Sequence, residues 1–388
     1  MSIRNVCRTA FVAVGWACVA LLRVSAADDG QAVTEVDDVR IAAASAEEPL
    51  ARAFSPRAAA SYLDKTASDW VATRRCAACH TIPPFLMARP VLPAGGQASA
   101  EVRAFVERVV TEQLEAEPKL PPDAISAVKV QVATALAIND RLTTGKLHPV
   151  TRLALDRIWT RQRDDGSWEW PFRDVPPIKI DEHYGVTFAA LGVGMAPDGY
   201  AQTDAARAGL AKIRRYLTAH PAVSLHQQAM LAWASVHVEQ LMLPRERTAV
   251  ISKLLAAQRP DGGWSLASLV ENFAGQERVT PAITEFQSRA GYGKEFLIYV
   301  SRGAPYASSL ASDGYATGFA IYVARESGVP IDDARLARGV VWLKTNQRAS
   351  GRWFTPSQGN HTQHYIANAG TAFAVMALQA CDALLCKR

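Results

Sequence analysis

A turn of the form Gln-x3-Gly-x-Trp occurs three times in this chain and limits its possible folds more than any other feature. The copies are QRDDGSW at 162–168, QRPDGGW at 258–264 and QRASGRW at 347–353. Four and seven residues before each Gln the chain has apolar side chains: Ile158 and Leu155, Leu254 and Ile251, and Leu343 and Val340. That spacing places both side chains on one face of a helix ending at the Gln. A turn that recurs together with its helix is an internal repeat.

The residue types in this turn favour structural roles. A Gln amide can donate hydrogen bonds to carbonyls left unpaired at a helix end. Gly permits the left-handed backbone that stops a helix. A Trp ring can cover the turn and anchor one helical hairpin to the next. We therefore expect the repeated Gln and Trp residues to be structural and not catalytic.

Helices rich in small residues follow the repeated turns. They contain HYGVTFAAL at 183–191, DGYATGFAIY at 313–322 and HYIANAGTAFAVMAL at 364–378. Small side chains allow close packing on both sides, which suits an inner ring of helices. The more charged helical stretches suit an outer ring; they are 203–219, 244–258 and 332–347. The predicted fold class is therefore all-α and, within it, an α/α toroid of helical hairpins.

These turns and helices resemble the squalene–hopene cyclase and protein prenyltransferase superfamily, from about residue 120 to the end of the sequence. The segment DWVATRRCAACHTIPPFLMARPVL at 69–92 is similar to one in a bacterial branch of cyclase-like proteins, which carry Cys-x-x-Cys-His before the toroid. The resemblance implies a toroid with a hydrophobic central cavity. It implies no particular reaction, because one fold supports many functions.

The catalytic motifs of these relatives are not found in the predicted toroid. Squalene cyclases use an Asp-x-Asp-Asp acid, and the nearest match, residues 35–38, falls in a predicted linker. Prenyltransferases hold zinc partly through Asp-x-Cys. The best match is Asp313-Gly314-Tyr315, where Tyr stands in place of the thiolate, so no zinc is expected.

Several side chains remain as candidates inside the toroid. Asp313 and Tyr315 are the candidate catalytic residues, and aromatic faces could stabilise a cation. The expected cavity-lining residues are His183, Tyr184, His226, His361 and His364. The structural alternatives are that the Tyr residues fill the core and that Asp313 caps a helix. His361 and His364 have a helical spacing that could suit a metal.

Cys76, Cys79 and His80 form the Cys-x-x-Cys-His sequence at which c-type haem is attached. The two thiols would bind the porphyrin, and His80 would ligate the iron. Met87 follows too closely to match the usual axial Met, so the other side of the iron would need a His or stay open. A Cys76–Cys79 disulfide and a metal other than haem iron are the alternatives.

The first residues predict export. Residues 1–26 have the charged start, apolar run and small-residue cleavage site of a signal peptide. The formal net charge is +5, and the signal contributes three Arg and no acid, so the mature chain is nearly neutral. No basic run predicts nucleic-acid binding, and no later segment predicts a membrane span. We expect a flexible linker at 27–50, a helical segment at 51–118 and the toroid at 119–388.

Three functions are compatible with these patterns, and whether the protein is an enzyme stays open. The first is a cyclase-like protein that binds or transforms a hydrophobic, isoprenoid- or lipid-like molecule, with a haem as redox partner. The second is a c-haem electron carrier or sensor with the toroid as a docking scaffold. The third is a non-catalytic toroid that binds lipid or protein, stapled by a disulfide. An open apolar cavity favours the first, and a filled centre favours the others.

Overall fold

The described part of the chain is all-helical apart from one short antiparallel strand pair, which confirms the predicted class. The computed structural model describes residues 34–36, 39–78, 80–93, 97–114, 122–170, 182–274, 310–357 and 364–384. The strands are β1 (Thr34–Val36) and β2 (Val39–Ile41). The helices are α1 (Pro56–Arg74), α2 (Ile82–Ala88), α3 (Gln97–Arg108), α4 (Pro122–Thr143), α5 (Pro149–Trp159), α6 (Glu182–Met195), α7 (Asp204–Ala219), α8 (Leu225–His237), α9 (Pro244–Ala256), α10 (Leu266–Ala274), α11 (Gly314–Glu326), α12 (Ala334–Thr345) and α13 (Ile366–Ala380).

Short irregular turns extend some of these helices. They are 3₁₀ turns at Arg89–Val91 and Tyr200–Gln202 and a π turn at Val109–Gln113. None of the helices in the described part of the chain is long and apolar enough to cross a membrane.

The helices are of two kinds, as their composition predicts. Helices α6, α11 and α13 are buried on nearly every face, whereas α7, α9 and α12 each keep an exposed face. Small residues permit the burial. A Cβ added at Gly318 of α11 would lie 2.5 Å from the backbone of Phe373 and Ala374 in α13. Backbones this close leave room only for Gly.

The buried helices pack in a regular order. Helix α2 packs on α4, α4 on α6, α6 on α8, α8 on α11, α11 on α13, and α13 on α2 again. Each amphipathic helix packs against members of this series: α5 against α4, α7 against α6, α9 against α8 and α11, and α12 against α11 and α13. Helix α1, near the start of the chain, packs against α13, near its end.

The repeated turn has the same Gln hydrogen bonds in every copy. Each Gln Nε2 donates to the Gly carbonyl of its own turn and to a carbonyl of another amphipathic helix or its cap. The acceptors are Gly166 and Gly209 for Gln162, Gly262 and Arg335 for Gln258, and Gly351 and Ser55 for Gln347. The expectation that Gln would bind the end of its preceding helix is therefore wrong.

The Trp of each turn, and not the Gln, donates to the end of the preceding helix. Its indole Nε1 donates to a carbonyl in the last turn of the preceding helix: Trp168 to Ile158 (2.8 Å), Trp264 to Leu254 (2.7 Å) and Trp353 to Leu343 (2.7 Å). The rings themselves are fully buried. The Gly residues have the left-handed backbone that we predicted, with φ values of 99°, 93° and 96° at Gly166, Gly262 and Gly351.

The third turn also holds the chain before α1. Arg352 pairs with Glu48 at 2.6 Å, and the Ala51 N–H donates to the carbonyl of Gln347 at 2.7 Å. Arg352 further donates to the carbonyls of Ala42 and Ala43. Residues 42–50 therefore contact the helical body, which differs from the mobile linker predicted there. Their backbone groups find partners on the turn, and composition alone does not reveal such partners.

Candidate functional site

The Cys-x-x-Cys-His turn joins α1 to α2. Helix α1 ends at Arg74 and is capped by Arg75, whose left-handed backbone (φ 49°) lets its N–H donate to the carbonyl of Trp70. Cys76 and His80 are both half-buried, and Cys79 lies outside the described residues. The two described members of the motif thus lie at the surface of the helical body, with α2 starting directly afterwards at Ile82.

A buried hydrogen-bond chain holds one nitrogen of His80. His80 Nδ1 lies 3.1 Å from the Thr81 hydroxyl, which accepts a hydrogen bond from Asn368 Nδ2 at 3.0 Å. Asn368 Oδ1 in turn accepts from the Tyr62 hydroxyl at 2.6 Å. Thr81, Asn368 and Tyr62 are each at most 5% exposed. The chain connects α1, the motif and α13, and it reaches His80 through Nδ1.

Aromatic rings fix the plane of the His80 imidazole. The Trp70 ring meets it edge-on at 5.1 Å, and the Tyr365 ring stacks on it at 5.4 Å with an interplanar angle of 19°. The Arg74 guanidinium lies 5.8 Å from the Trp70 ring centre and 6.0 Å from that of Tyr365. It also donates to the Tyr365 hydroxyl at 3.0 Å.

This arrangement fits a haem ligand. A metal-binding imidazole commonly has its second nitrogen hydrogen-bonded, which sets the ring orientation and the tautomer. The Thr81 hydroxyl supplies that contact to His80. Met87 is buried in α2 at 2% exposure.

A second group of candidate residues lies where inner helices begin. His226 and Tyr315 occupy the first turns of α8 and α11, and His226 Nε2 lies 3.0 Å from the Tyr315 hydroxyl. The His226 ring stacks on Phe319 at 4.7 Å, and Phe373 meets Tyr315 edge-on at 5.0 Å. Sequence reasoning named His226 and Tyr315 separately, and the fold brings them together.

These rings fill the space around them. His226 and Phe319 are 0% exposed, and Tyr315 is 1% exposed. Side chains with so little accessible surface border no water-filled cavity. Burial lowers the pKa of His226 to about 3 and raises the pKa of Tyr315 well above its usual range. The imidazole is therefore neutral and the phenol protonated at neutral pH.

In the described part of the interior, two imidazole nitrogens have no hydrogen-bond partner, namely His226 Nδ1 and His183 Nε2. His183, in the first turn of α6, is 6% exposed, and its other nitrogen lies 3.4 Å from the Thr187 hydroxyl. Burial lowers its pKa to about 4. Next to it, Tyr184 is buried and stacks on Phe188 at 5.5 Å.

Asp313 caps a helix, which is the structural alternative that its position suggested. Its Oδ1 accepts from the Ala316 N–H at 2.9 Å, and its Oδ2 accepts from the Leu266 N–H at 2.6 Å. One carboxylate therefore caps α11 and also binds the first residue of α10. The side chain is 2% exposed, and desolvation raises the pKa of Asp313 to about 7 against the opposing effect of these hydrogen bonds.

The predicted His361–His364 pair does not have its expected geometry. His361 lies outside the described residues, and His364 precedes α13 with a left-handed backbone (φ 48°). Its Nδ1 accepts the Ser357 N–H at 3.0 Å. The helical spacing assumed for a metal pair therefore fails at His364. Among the described residues, no three His, Cys, Asp or Glu side chains come together in a way that could hold a metal ion.

A surface pocket of about 380 Å³ opens between α2, α3 and α4. Arg89 and Arg103 lie on its wall, and both guanidinium groups are already paired. Arg89 forms an ion pair with Asp64 at 2.7 Å, and Arg103 forms one with Asp140 at 2.6 Å. The first pair joins α1 to the 3₁₀ turn after α2, and the second joins α3 to α4.

Sequence reasoning missed the residues that support His80. Thr81, Asn368 and Tyr62 are ordinary polar side chains far apart in the chain, and their sequence pattern does not link them. Tyr365 is half-buried and stacks on His80, a contact that its position in the sequence does not reveal.

Comparison with known proteins adds no family assignment. No protein-family model matches the chain, and no curated protein matches it significantly.

Proposed function

We propose that this protein is an exported c-type haem protein that transfers single electrons or senses redox state, with its helical body as the scaffold. The observation that carries the proposal is the buried chain from Tyr62 through Asn368 and Thr81 to His80. It orients the imidazole of the Cys-x-x-Cys-His motif through a hydrogen bond to Nδ1. A disulfide between the two Cys gives no reason for this support of His80.

Cys76 and Cys79 would hold the porphyrin through thioether bonds, and His80 would ligate the iron. When bound, a c-type haem supplies one-electron redox chemistry. The protein's own contribution is positional. Thr81 fixes the ring orientation of His80, and Trp70 and Tyr365 limit its rotation.

The scaffold in this proposal is an α/α toroid of the squalene–hopene cyclase and prenyltransferase type. It is supported by the sequence in which the buried helices pack on one another, because the last of them, α13, packs on the first, α2. The amphipathic helices that pack against this series also support it. The equivalent hydrogen bonds of the repeated turns agree with it. The filled surroundings of His226 and Tyr315 favour a scaffold over chemistry in a central cavity.

The test is the identity of the group on the two Cys. The mature protein is purified from cells that carry out c-type haem maturation, and its reduced absorption spectrum and intact mass are recorded. We expect the mass of one haem on the chain and its loss in the Cys76→Ala/Cys79→Ala variant. Cys381→Ala is the matched control, because that thiol is buried and unbridged.

A colourless protein would overturn the haem proposal. If its mass is also lower than that of the reduced chain by two hydrogens, and the difference depends on Cys76 and Cys79, the Cys pair is a disulfide staple. The function would then have to be sought in the helical body.

The second candidate function is binding of a hydrophobic, lipid-like molecule with a polar group. It is favoured by His183 Nε2, because this nitrogen is buried without a hydrogen-bond partner, at a cost of about 1–3 kcal/mol, on a side chain that is 6% exposed. A ligand oxygen could satisfy it. Native mass spectrometry after incubation with a lipid extract should show a retained ligand that is lost in His183→Phe. A chain that stays ligand-free excludes this candidate.

A further inference from the structure

The surface beside the Cys-x-x-Cys-His turn combines exposed positive charge with aromatic rings. Arg74 and Arg75 are exposed, and Trp70 and Tyr365 are half-buried next to them. Among the described residues, neither guanidinium forms an ion pair with a carboxylate. Trp, Tyr and Arg are the residue types that most often dominate binding energy at protein interfaces.

Arg74 is held in place at this surface. Its guanidinium lies within 6.0 Å of the centres of both neighbouring rings and donates to the Tyr365 hydroxyl. Such stacking gives the charge a fixed position, so less side-chain entropy is lost when a partner binds.

Arg75 occupies a backbone position that normally favours Gly. Its φ is 49°, and the left-handed conformation is unfavourable for a residue with a side chain. A positive charge at the end of α1 interacts favourably with the helix dipole, but this gain is no larger than the backbone cost. Helix stability alone therefore does not account for an Arg here.

We infer that Trp70, Arg74, Arg75 and Tyr365 form a docking surface for an acidic electron-carrier protein. The occupant follows from charge complementarity: the two guanidinium groups, which form no ion pair with a described carboxylate, attract a carboxylate-rich patch and steer its approach. The rings that flank His80 bring that partner next to the proposed haem. This inference rests on the proposed function for the redox nature of the partner, although the charge preference can be measured without haem.

The first experiment measures binding of a fluorescein-labelled poly-glutamate peptide by fluorescence anisotropy at low ionic strength. Wild-type protein is compared with Arg74→Gln/Arg75→Gln. The matched control is Arg245→Gln, an exposed Arg on α9. We expect the double variant to bind about 10-fold more weakly, with the difference lost at high salt, and the control to match wild type.

The second experiment follows oxidation of the reduced protein by ferricyanide, an anion, and by tris(phenanthroline)cobalt(III), a cation. In each reaction one electron passes from the protein to the reagent. We expect the ferricyanide rate constant to fall as salt rises and to fall several-fold in the double variant at low salt. The midpoint potential should stay unchanged.

Two results would overturn the docking surface alone: equal poly-glutamate affinity in all three proteins, or a shifted midpoint potential with an unaltered salt dependence. The second would mean that the Arg side chains pair with the haem carboxylates. A protein without haem overturns the proposed function and, with it, the redox partner. The absorption spectrum distinguishes this failure from the other two.

Discussion

At the residue scale, the His80 turn depends on a single hydroxyl. Thr81 Oγ1 contacts Nδ1 of the half-buried His80 and accepts from Nδ2 of the buried Asn368, so two polar groups share this hydroxyl. Thr81→Val keeps the side-chain shape and removes both contacts. We expect a loss of about 1–3 kcal/mol in the free energy of unfolding.

Urea unfolding measures this loss, and Thr81→Ser, which keeps the hydroxyl, serves as the control. In the haem-loaded protein Thr81→Val should also shift the midpoint potential. If the Val variant is as stable as the Ser variant, the hydrogen-bond chain contributes nothing measurable.

The raised pKa of Asp313 predicts that the stability of the protein decreases as the pH rises from about 4 to about 7. Its pKa is about 7 in the folded protein, raised from 3.8 chiefly by desolvation. Between these values the folded state binds the proton and the unfolded state does not. This contribution to stability is therefore complete below about pH 4 and declines as the pH rises to about 7, by up to about 1.4 kcal/mol per pH unit.

Asp313→Asn should remove this component, which is measured as the difference between the two unfolding curves across pH 4–8. The same slope in both proteins would show that Asp313 is ionised throughout. His226 and His183 act in the opposite direction. Their lowered pKa values, about 3 and about 4, make stability rise as the pH increases towards 6.5.

At the scale of the elements, the repeated turn is a junction between helices. Two separate features require Gly in this turn. The backbone is left-handed, and the backbone of another helix lies too close to leave room for a Cβ. A Cβ would lie 2.3 Å from the Lys212 carbonyl oxygen at Gly166, 2.9 Å from that of Arg338 at Gly262 and 2.2 Å from that of Ala58 at Gly351. The approaching backbone in each case belongs to another amphipathic helix.

Alanine at each of these positions should therefore destabilise the protein in a graded way. Gly328 provides the matched control, because its φ is 91° and nothing lies within 4 Å of an added Cβ. We expect Gly328→Ala to cost about 1–2 kcal/mol for the backbone conformation alone. Gly262→Ala should cost more, and Gly166→Ala and Gly351→Ala the most. Chemical denaturation ranks them, and equal costs at all four sites would contradict a role for helix contact.

At the scale of the whole molecule, the segment before α1 is bound to the third repeated turn, near the other end of the described chain. The third turn binds Ser55, the cap of α1, through Gln347, and it binds Glu48 through Arg352. The side chain of Arg352 is 4% exposed and that of Glu48 is 13% exposed. This pair is therefore well shielded from solvent and salt.

Breaking the pair should cost more than breaking an exposed one. We expect Glu48→Gln to lower the free energy of unfolding by about 1–3 kcal/mol, since it leaves a buried guanidinium without its counter-charge. The control is Asp204→Asn, which removes a solvent-exposed pair with Arg207 and should cost less than about 1 kcal/mol. Limited proteolysis should also cut Glu48→Gln faster before α1. Equal stability of the two variants would mean that the N-terminal segment does not support the fold.

The features that follow from the sequence alone are local and periodic. Apolar spacing and small-residue content predicted the helices, the repeated turns and the two kinds of helix. Each depends on neighbours within a few positions of the chain. The cap at Asp313 was a local alternative of the same sort, and the structure bears it out.

The contacts between residues far apart in the sequence depend on the tertiary structure. In the folded chain the carbonyls at the helix ends accept hydrogen bonds from Trp and not from Gln, and His364 lies outside a helix. His226 contacts Tyr315. Tyr62, Asn368 and Thr81 form the hydrogen-bond chain to His80. The physical reason is that a hydrogen bond between residues far apart in sequence depends on how whole helices pack. That packing depends on the summed burial of many side chains, and no single motif records it.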